Sequence, residues 1–309
     1  MQQAYIEKNT IFQTITGSKL YGTDTPESDT DSKGICIIDK KYYVGFIGNF
    51  EQWQDSEVDT EIYDVRKAFN LMSGCNPNML DILFAPKEFW LKVSPYWEII
   101  HNNRYEFLSK KAKFTFSGYA YQQLRRIESH RKWLLNPPDH QPTREEFGFK
   151  QCPVSKDLIR AVLSLPSGVL ADNIKDDIVK EQRYQEALRN WQNYEEWKKK
   201  RNPKRAALEA RVGFDTKHGS HLIRLLRMGK EILTKGEVLV DRRNIDAIEL
   251  MAIRNCEWSF DKVVGEAKAM DAELDSLYES SVLRHKPDMN KLNDLCIEVT
   301  EQYWKDNSK

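Results

Sequence analysis

The chain has 309 residues, enough for two domains and at least one buried core. Hydrophobic residues make up 40% and charged residues 30%, and the formal net charge is zero, so the overall charge favours no nucleic-acid partner by itself. No apolar run approaches the length of a membrane-spanning helix. The five cysteines are scattered and form no CxxC pair, which argues against a disulfide framework or a zinc site and predicts a cytoplasmic protein.

The first third of the chain predicts a mixture of strands and helices. Alternating apolar residues and short apolar runs indicate strands in residues 10–16, 34–38, 41–47 and 57–63. Asp64 is placed to cap a helix that ends at Gly74. Asn76-Pro77 then begins a further element that extends to Phe84.

From about residue 95 onward the apolar residues recur at helical spacing. Helices are predicted in residues 119–135, 155–165, 171–201, 216–233, 244–254, 260–280 and 288–306. The sequence therefore predicts an α+β protein with two domains. The first is a mixed domain of residues 1–95, and the second is a mostly helical domain of residues 96–309 with an excursion at about 136–205.

A glycine and a serine follow the first predicted strand. Gly17 has no side chain, so its backbone can approach a ligand closely. Ser18 stands where a short helix would begin, and the free N–H groups and positive dipole end of a helix favour a phosphate. Gly22 then allows that helix to end. This pattern predicts that Gly17 and Ser18 bind the phosphates of a nucleotide.

Two aspartates follow the Gly-Ser segment and precede the apolar strand of residues 34–38. Asp29 and Asp31 are two positions apart, so if they begin a strand their side chains point to the same face. Neighbouring carboxylates repel each other unless a cation lies between them, and their hard oxygen atoms suit Mg²⁺, with Mn²⁺ as a second candidate. Two ions about 4 Å apart would hold the entering and leaving oxygens of an in-line displacement. The pair therefore predicts metal-dependent phosphoryl or nucleotidyl transfer.

Each of these features has an ordinary structural interpretation as well. Asp and Ser are common in turns, so residues 26–31 alone are compatible with a surface loop. A Gly-Ser pair before a helix is even less specific. The functional interpretation is favoured by the order of the features, which is a strand, Gly17-Ser18, Asp29-x-Asp31 and then a buried strand.

This combination resembles the signature of the DNA polymerase β nucleotidyltransferase superfamily. With Leu20-Tyr21-Gly22 and Gly34-Ile35 it is similar to one branch, the predicted nucleotidyltransferases of RNA repair pathways in bacteria and phages. The similarity continues in Arg66-Lys67, in Asn76-Pro77-Asn78 and in residues 213–226. It implies a polymerase-β-like catalytic domain in residues 1–95, an NTP such as ATP as the substrate, and an RNA acceptor, for instance a tRNA 3′ end.

The resemblance also implies a third carboxylate that binds metal or acts as the general base. Asp59 and Glu61 share one face of the predicted strand of residues 57–63. Asp81 lies between apolar residues in a segment that fits either a strand or a helix begun by Asn76-Pro77. We favour Asp59 as the third catalytic and metal-binding residue, with Glu61 and Asp81 as the alternatives.

Basic residues recur along the predicted helix of residues 216–233. Lys217, His221 and Arg224 are four and three positions apart and share one helix face. This face is either a solvated surface with a histidine in the core or, as the resemblance favours, a cationic stripe that binds the triphosphate. Lys217 and Arg224 are the stronger candidates because both keep their charge near neutral pH.

Basic and aromatic residues are interleaved in residues 110–133, and a second basic cluster lies in residues 198–205. Such patches can contact RNA, although solvated helix faces have the same composition. The favoured function is a nucleotidyltransferase that acts on RNA. The alternatives are transfer to a protein or a small molecule, or an inactive scaffold that binds RNA or a partner. No sequence feature indicates an oligomeric state.

Overall fold

The computed structural model of the protein describes residues 3–46, 50–55, 59–149, 172–201 and 203–307, and the single residues 155, 157 and 160. The chain forms two compact units, one of residues 1–127 with 215–309 and the other of residues 128–214. The domain boundary near residue 95 stays a prediction. The helix expected at residues 155–165 lies almost entirely outside the described residues.

The first unit contains a mixed five-stranded sheet. Its strands are β1 (Thr10–Ile15), β2 (Ser32–Cys36), β3 (Gln52–Asp55), β4 (Thr60–Asp64) and β5 (Trp90–Val93), in the spatial order β3-β4-β2-β1-β5. Strands β2 and β4 are parallel, whereas the other three pairings are antiparallel. The parallel pairing brings the start of β2 beside the start of β4, where the acidic residues of both segments are found.

Helices occupy most of the remaining described chain. In order they are α1 (Gln3–Asn9), α2 (Gly17–Tyr21), α3 (Lys41–Val44), α4 (Val65–Ser73), α5 (Pro77–Leu83), α6 (Pro95–Asn102), α7 (Lys111–Leu135), α8 (Asp172–Lys200), α9 (Pro203–Val212), α10 (Thr216–Lys235), α11 (Ala247–Arg254), α12 (Phe260–Ser280) and α13 (Met289–Asn307). The mixed sheet followed by a largely helical region confirms the predicted α+β class. Among the helices of the described residues, none has both the length and the apolar character needed to span a membrane.

Side-chain caps fix the starts of three helices near the sheet. The carboxylate of Asp64 accepts a hydrogen bond from the N–H of Arg66 at 3.0 Å. Asn76 caps α5, which has Pro77 in its first turn, and Asp215 caps α10 by accepting from the N–H of His218 at 3.1 Å. Each cap satisfies an N–H group that has no partner inside the helix. The helix starts predicted at Asp64 and at residue 216 are confirmed, and of the strand and the helix left open after Asn76-Pro77 the helix is formed.

The strand predicted for residues 41–47 is wrong. Residues Lys41–Val44 form the short helix α3, because the N–H groups of Tyr42 and Tyr43 bond back to the carbonyls of Asp39 and Lys40 at 3.0 Å each. The aromatic side chain of Tyr43 also packs across Trp304 of α13, with ring centroids 5.1 Å apart. Tertiary packing therefore outweighs the strand propensity of the two tyrosines.

The core of the first unit joins the sheet to helices from both ends of the chain. Phe12 of β1 stacks on Trp97 of α6 with centroids 3.8 Å apart, and both side chains are fully buried. The hydroxyl of Tyr303 donates to Asn9 at 2.7 Å, and the indole N–H of Trp304 donates to the carbonyl of Ile38 at 2.8 Å. The last helix therefore belongs to the same core as the first strands.

The second unit has its own aromatic core and buried ion pairs. Trp133 packs against Tyr194 and Trp197, with centroid distances of 6.1 and 5.4 Å, and its indole N–H donates to Asn190 at 3.1 Å. Glu209 is 1% exposed and is paired with Arg201 at 2.6 Å. These contacts explain the aromatic residues of α8 as packing residues.

A buried arginine organises the segment between α10 and α11. Arg242 has no exposed surface, and its guanidinium pairs with Glu231 at 2.6 Å and with Asp246 at 2.7 Å. Burial acts to raise the pKa of Asp246, but hydrogen bonds from Arg242 and Arg227 outweigh it and hold the pKa below its ordinary value. The positive charge of Arg242 is thus balanced by the carboxylates of Glu231 and Asp246.

We expect Arg242→Met to lower the free energy of unfolding by about 3 kcal/mol at neutral pH, since it leaves two half-buried carboxylates without their main cation. Because the pKa of Asp246 is depressed in the folded state, its contribution is complete above about pH 4 and is lost as the pH falls through the folded value. The difference between the two proteins should therefore shrink in acid.

Urea denaturation at pH 7 and at a series of lower pH values measures this difference. Lys268→Met is the matched control, because Lys268 is an exposed residue of α12. Equal stabilities for Arg242→Met and the unchanged protein at pH 7 would contradict the assignment.

Candidate active site

The carboxylate of Asp31 packs against the backbone of Gly17. Thr16 donates its N–H to the carbonyl of Asp31 at 2.9 Å, which holds the end of β1 next to the start of β2. A Cβ atom on Gly17 would lie 2.2 Å from Oδ2 of Asp31, and Gly17 has a φ of +70°, in the left-handed region. A side chain cannot fit between them without displacing Asp31, so the contact requires glycine.

The Gly17 bend leads directly into the short helix α2. Thr16 precedes the helix and makes no side-chain cap hydrogen bond. Ser18 is the second residue of the helix and accepts, through its carbonyl, a hydrogen bond from the N–H of Thr23 at 2.9 Å. The helix ends at Gly22, which has a φ of 68°. The turn is therefore short and fixed at both ends.

Asp59 lies beside Asp31 at the end of the sheet. Ser32 of β2 is opposite Thr60 of β4, and the N–H of Ser32 donates to the carbonyl of Asp59 at 3.0 Å. Continuing this register by one position places Asp31 opposite Asp59. The backbone of Asp59 has a φ of 42°, a conformation that aspartate tolerates better than most residues.

The electrostatic surroundings of Asp31 link four of the predicted site residues. Burial and then the negative charge of Asp59 raise the pKa of Asp31, and Asp29 adds to this rise, whereas Lys217 lowers it. Asp29, Asp59 and Lys217 are exposed, and Asp31 is half-buried between them. A carboxylate that is destabilised by two others is the situation that a divalent cation relieves.

The three carboxylates fit a divalent cation by their chemistry, since all supply hard oxygen ligands. Among the described residues, the oxygen atoms of Asp29, Asp31 and Asp59 are not all gathered within 4.8 Å of one another. A bound cation would therefore draw at least one of the two exposed carboxylates inward.

Glu61 and Asp81, the alternative third carboxylates, are both engaged elsewhere. Glu61 pairs with Lys33 of the neighbouring strand at 2.9 Å. Burial acts to raise the pKa of Glu61, but hydrogen bonds from Tyr63 and Lys33 lower it below its ordinary value. Asp81 lies on helix α5 rather than on a strand and is 2% exposed, so the strand interpretation of its segment is wrong.

Asp81 belongs to a buried cluster beneath α2. Its carboxylate accepts a hydrogen bond from the hydroxyl of Tyr21 and lies 3.9 Å from the guanidinium of Arg224. Burial raises the pKa of Asp81, and the charge of Arg224 acts against this rise. The guanidinium also lies 3.6 Å from the ring centroid of Tyr21. The cluster therefore joins α2, α5 and α10.

The three basic residues predicted to form one stripe on α10 have different surroundings. Lys217 is exposed and acts electrostatically on Asp31. Arg224 is 3% exposed and contacts Tyr21, Asp81 and the sulfur of Met228 at 3.0 Å. His221 lies between them, and burial, followed by the charge of Arg224, holds its pKa well below the ordinary value, so the imidazole is neutral at pH 7.

Sequence reasoning missed the residues that hold α2 from the C-terminal part of the chain. The N–H of Arg242 donates to the carbonyl of Tyr21 at 3.2 Å, and the guanidinium of Arg243 donates to the carbonyl of Lys19 at 2.8 Å. Arg254 donates to the carbonyl of Thr23. Arg243 and Arg254 make these contacts with their side chains, and cations near the C-terminal end of a helix bond to free carbonyls and interact favourably with the helix dipole. The Arg242-Arg243 pair was visible in the sequence, but its partner was not.

Residues 2–136 match the model of the family RlaP, described as the RNA repair pathway DNA polymerase beta family. This match confirms the family resemblance. It includes the bend at Gly17, all three aspartates of the cluster, α5 with Asp81, and the whole of α7.

A bacteriophage protein is similar over part of the same region. It is a protein of Enterobacteria phage T4, described as an uncharacterized 38.9 kDa protein of the nrdC-mobD intergenic region, and it is 30% identical over 128 residues. The alignment covers 37% of this chain and 37% of the phage protein. No solved structure matches the chain. The polymerase-β-like family suggests nucleotidyltransferase activity, and proteins of this kind usually use divalent metals.

We expect Gly17→Ala to weaken the binding of Mn²⁺ by about tenfold or more, because the new methyl group must displace the carboxylate of Asp31. The variant also places alanine at a positive φ, which costs about 1 kcal/mol. Isothermal calorimetry with Mn²⁺ and thermal unfolding measure the two effects. Gly118→Ala in α7 is the control, since a Cβ there has no neighbour within 4 Å. Equal Mn²⁺ affinity in both variants would contradict the importance of the contact.

Proposed function

We propose that this chain is a metal-dependent nucleotidyltransferase that transfers a nucleotide from an NTP to the 3′ hydroxyl of an RNA. The observation that carries the proposal is the carboxylate of Asp31 packed against Gly17, with Asp29, Asp59 and Lys217 acting on its charge. A glycine bend beside clustered carboxylates lets a polyphosphate and a divalent cation occupy the same place. The match of residues 2–136 to an RNA repair family supports both the chemistry and the acceptor.

Each acidic and small residue of the cluster has a proposed role. Gly17 and Ser18 bind the β and γ phosphates, and Asp29 and Asp31 hold Mg²⁺, for which Mn²⁺ can substitute. Asp59 completes the metal site and helps to remove the proton from the attacking hydroxyl. The bound cations would neutralise the charge that develops on the transferred phosphoryl group.

The basic residues of α10 divide into two proposed roles. Lys217 offsets the charge of the triphosphate from the first turn of the helix, as its effect on Asp31 supports. The burial of Arg224 favours a positioning role, in which it holds α2 through Tyr21 and Asp81. His221 stays neutral and accepts a hydrogen bond from Arg224, with the two nitrogen atoms 3.4 Å apart. This assignment differs from the direct phosphate contact that the sequence predicts for Arg224 and His221.

Incubation with each labelled NTP, Mg²⁺ and either tRNA or a short RNA tests the reaction. We expect label on RNA, no label after removal of the metal by EDTA, and a loss of roughly 100-fold or more in rate for Asp31→Asn. Asp24→Asn is the control, because Asp24 is an exposed acid of the same loop. Label on the protein itself or on a small molecule would show that RNA is not the acceptor. RNA binding with no transfer to any acceptor would indicate an inactive scaffold.

The two roles on α10 predict different effects of substitution. Lys217→Ala should raise the KM for the NTP by about tenfold and leave the thermal midpoint unchanged, since Lys217 is exposed. Arg224→Met should lower the free energy of unfolding by about 3 kcal/mol, since it leaves Asp81 buried without a cation. Steady-state kinetics and urea denaturation measure these effects, and Lys235→Ala at the exposed end of α10 is the control. The assignment fails if Arg224→Met changes only the KM.

A further inference from the structure

A cavity of about 360 Å³ lies in the first unit, outside the acidic cluster. Three segments form its walls: the chain after α5, the end of α6 with the 3₁₀ turn of Arg104–Phe107, and the chain before Arg242. Its volume is in the range of cavities that hold one small organic ligand. Residues of the wall that can interact with such a ligand are Phe84, Lys87, His101, Arg104, Tyr105 and Asp241.

The cavity is positively charged. Within the described ranges, neither Lys87 nor Arg104 has a carboxylate within 4.0 Å, and the guanidinium of Arg104 donates instead to the carbonyl of His101 at 3.0 Å. The acid in the wall, Asp241, is neutralised by Arg243 at 3.0 Å. Burial and the charges of Arg104 and Lys87 lower the pKa of His101 to about 4, so its ring adds no charge at pH 7 and can act as a hydrogen-bond partner.

The cavity also contains aromatic surface. Phe84 and Tyr105 pack edge to face, with centroids 5.5 Å apart, and the guanidinium of Arg104 lies 4.6 Å from the ring centroid of Tyr105. Tyr105 is 52% exposed, so part of its ring is open to a ligand. An exposed aromatic ring beside unneutralised cations suits a group that has both a flat ring and a phosphate.

One wall of the cavity continues directly into the segment that holds α2. Residues 238–241 line the cavity, and the next two residues, Arg242 and Arg243, bond to the carbonyls of Tyr21 and Lys19. The guanidinium of Arg243 also lies 5.0 Å from the ring centroid of Phe89, which follows the Lys87 segment. The segment of residues 238–243 therefore links the cavity to helix α2, which follows the Gly17 bend.

We propose that this cavity binds one nucleotide unit of a single-stranded RNA, with the base on Tyr105 and the phosphate between Lys87 and Arg104. The assignment of RNA as the source of the nucleotide rests on the proposed transferase function, since an acceptor strand must pass close to the bend. Stacking together with charge contacts is how proteins bind unpaired nucleotides without reading their sequence. A free mononucleotide offers the same chemistry, and the test separates the two sources.

Fluorescence anisotropy with a labelled single-stranded oligoribonucleotide tests the site in the full chain. Tyr105→Ala should raise the Kd for this RNA by about tenfold. Lys87→Gln with Arg104→Gln should do the same and should reduce the slope of log K against log salt concentration by about 1.4, roughly 0.7 for each cation on a single strand. Lys286→Gln is the control, because it removes an exposed cation outside the cavity. It should change the Kd and the salt slope much less than the cavity variants do.

Three further measurements, namely thermal unfolding, cross-linking and AMP binding, decide the outcome. Thermal unfolding must show that the variants fold, and because Tyr105 and Lys87 are exposed we expect unchanged midpoints. Cross-linking with thiouridine-containing RNA should label the segment of residues 101–105. Unchanged RNA affinity in the folded variants, cross-links confined to other segments, or variants that lose AMP binding but keep RNA binding would each overturn the proposal.

The failure of this proposal is distinguishable from the failure of the transferase function. Asp31→Asn should slow transfer by roughly 100-fold or more and leave the RNA Kd unchanged, whereas the cavity variants should raise the RNA Kd and leave the Mn²⁺ affinity unchanged. If the chain transfers no nucleotide but the cavity variants lose RNA binding, the RNA site is supported and the transferase function is contradicted.

Discussion

The close packing of the Asp31 carboxylate on the backbone of Gly17 is the contact on which the rest of the candidate site depends. It fixes the distance between the end of β1 and the start of β2, and it leaves room for no side chain at position 17. The parallel pairing of β2 with β4 then brings Asp59 to the same end of the sheet. A local bend and one strand pairing thus gather negative charge where a divalent cation and a polyphosphate can meet.

Contacts from the helical part of the chain hold the Gly17 bend and helix α2 in position. Arg224 and Asp81 hold Tyr21 from inside the core, and Arg242, Arg243 and Arg254 bond to carbonyls at the far end of α2. A helix of five residues has little stability of its own, so its position depends on such tertiary contacts. This explains why residues more than two hundred positions away belong to the structure of the bend.

The chain has zero net charge, but its basic residues fall into two groups, those that stabilise the fold and those that remain available to a ligand. Arg224 and Arg242 are buried and paired with acids, where they stabilise the fold. Lys217 faces the carboxylates, and Lys87 and Arg104 stand in a cavity without acidic partners among the described residues, where charge remains for a ligand. The positions of the basic side chains therefore indicate where a phosphate-bearing ligand could bind, which the net charge does not.

The sequence by itself determined what depends on neighbouring residues. The strand before Gly17-Ser18, the Asp29-x-Asp31 spacing and the cap at Asp64 were readable, because glycine freedom and capping hydrogen bonds act over a few positions. Only the tertiary structure decided that Asp81 is a buried partner of Tyr21, that residues 41–44 are helical and that Arg224 is removed from solvent. The physical reason is that burial and charge pairing between distant segments depend on which surfaces meet, and neither periodicity nor motif spacing specifies that.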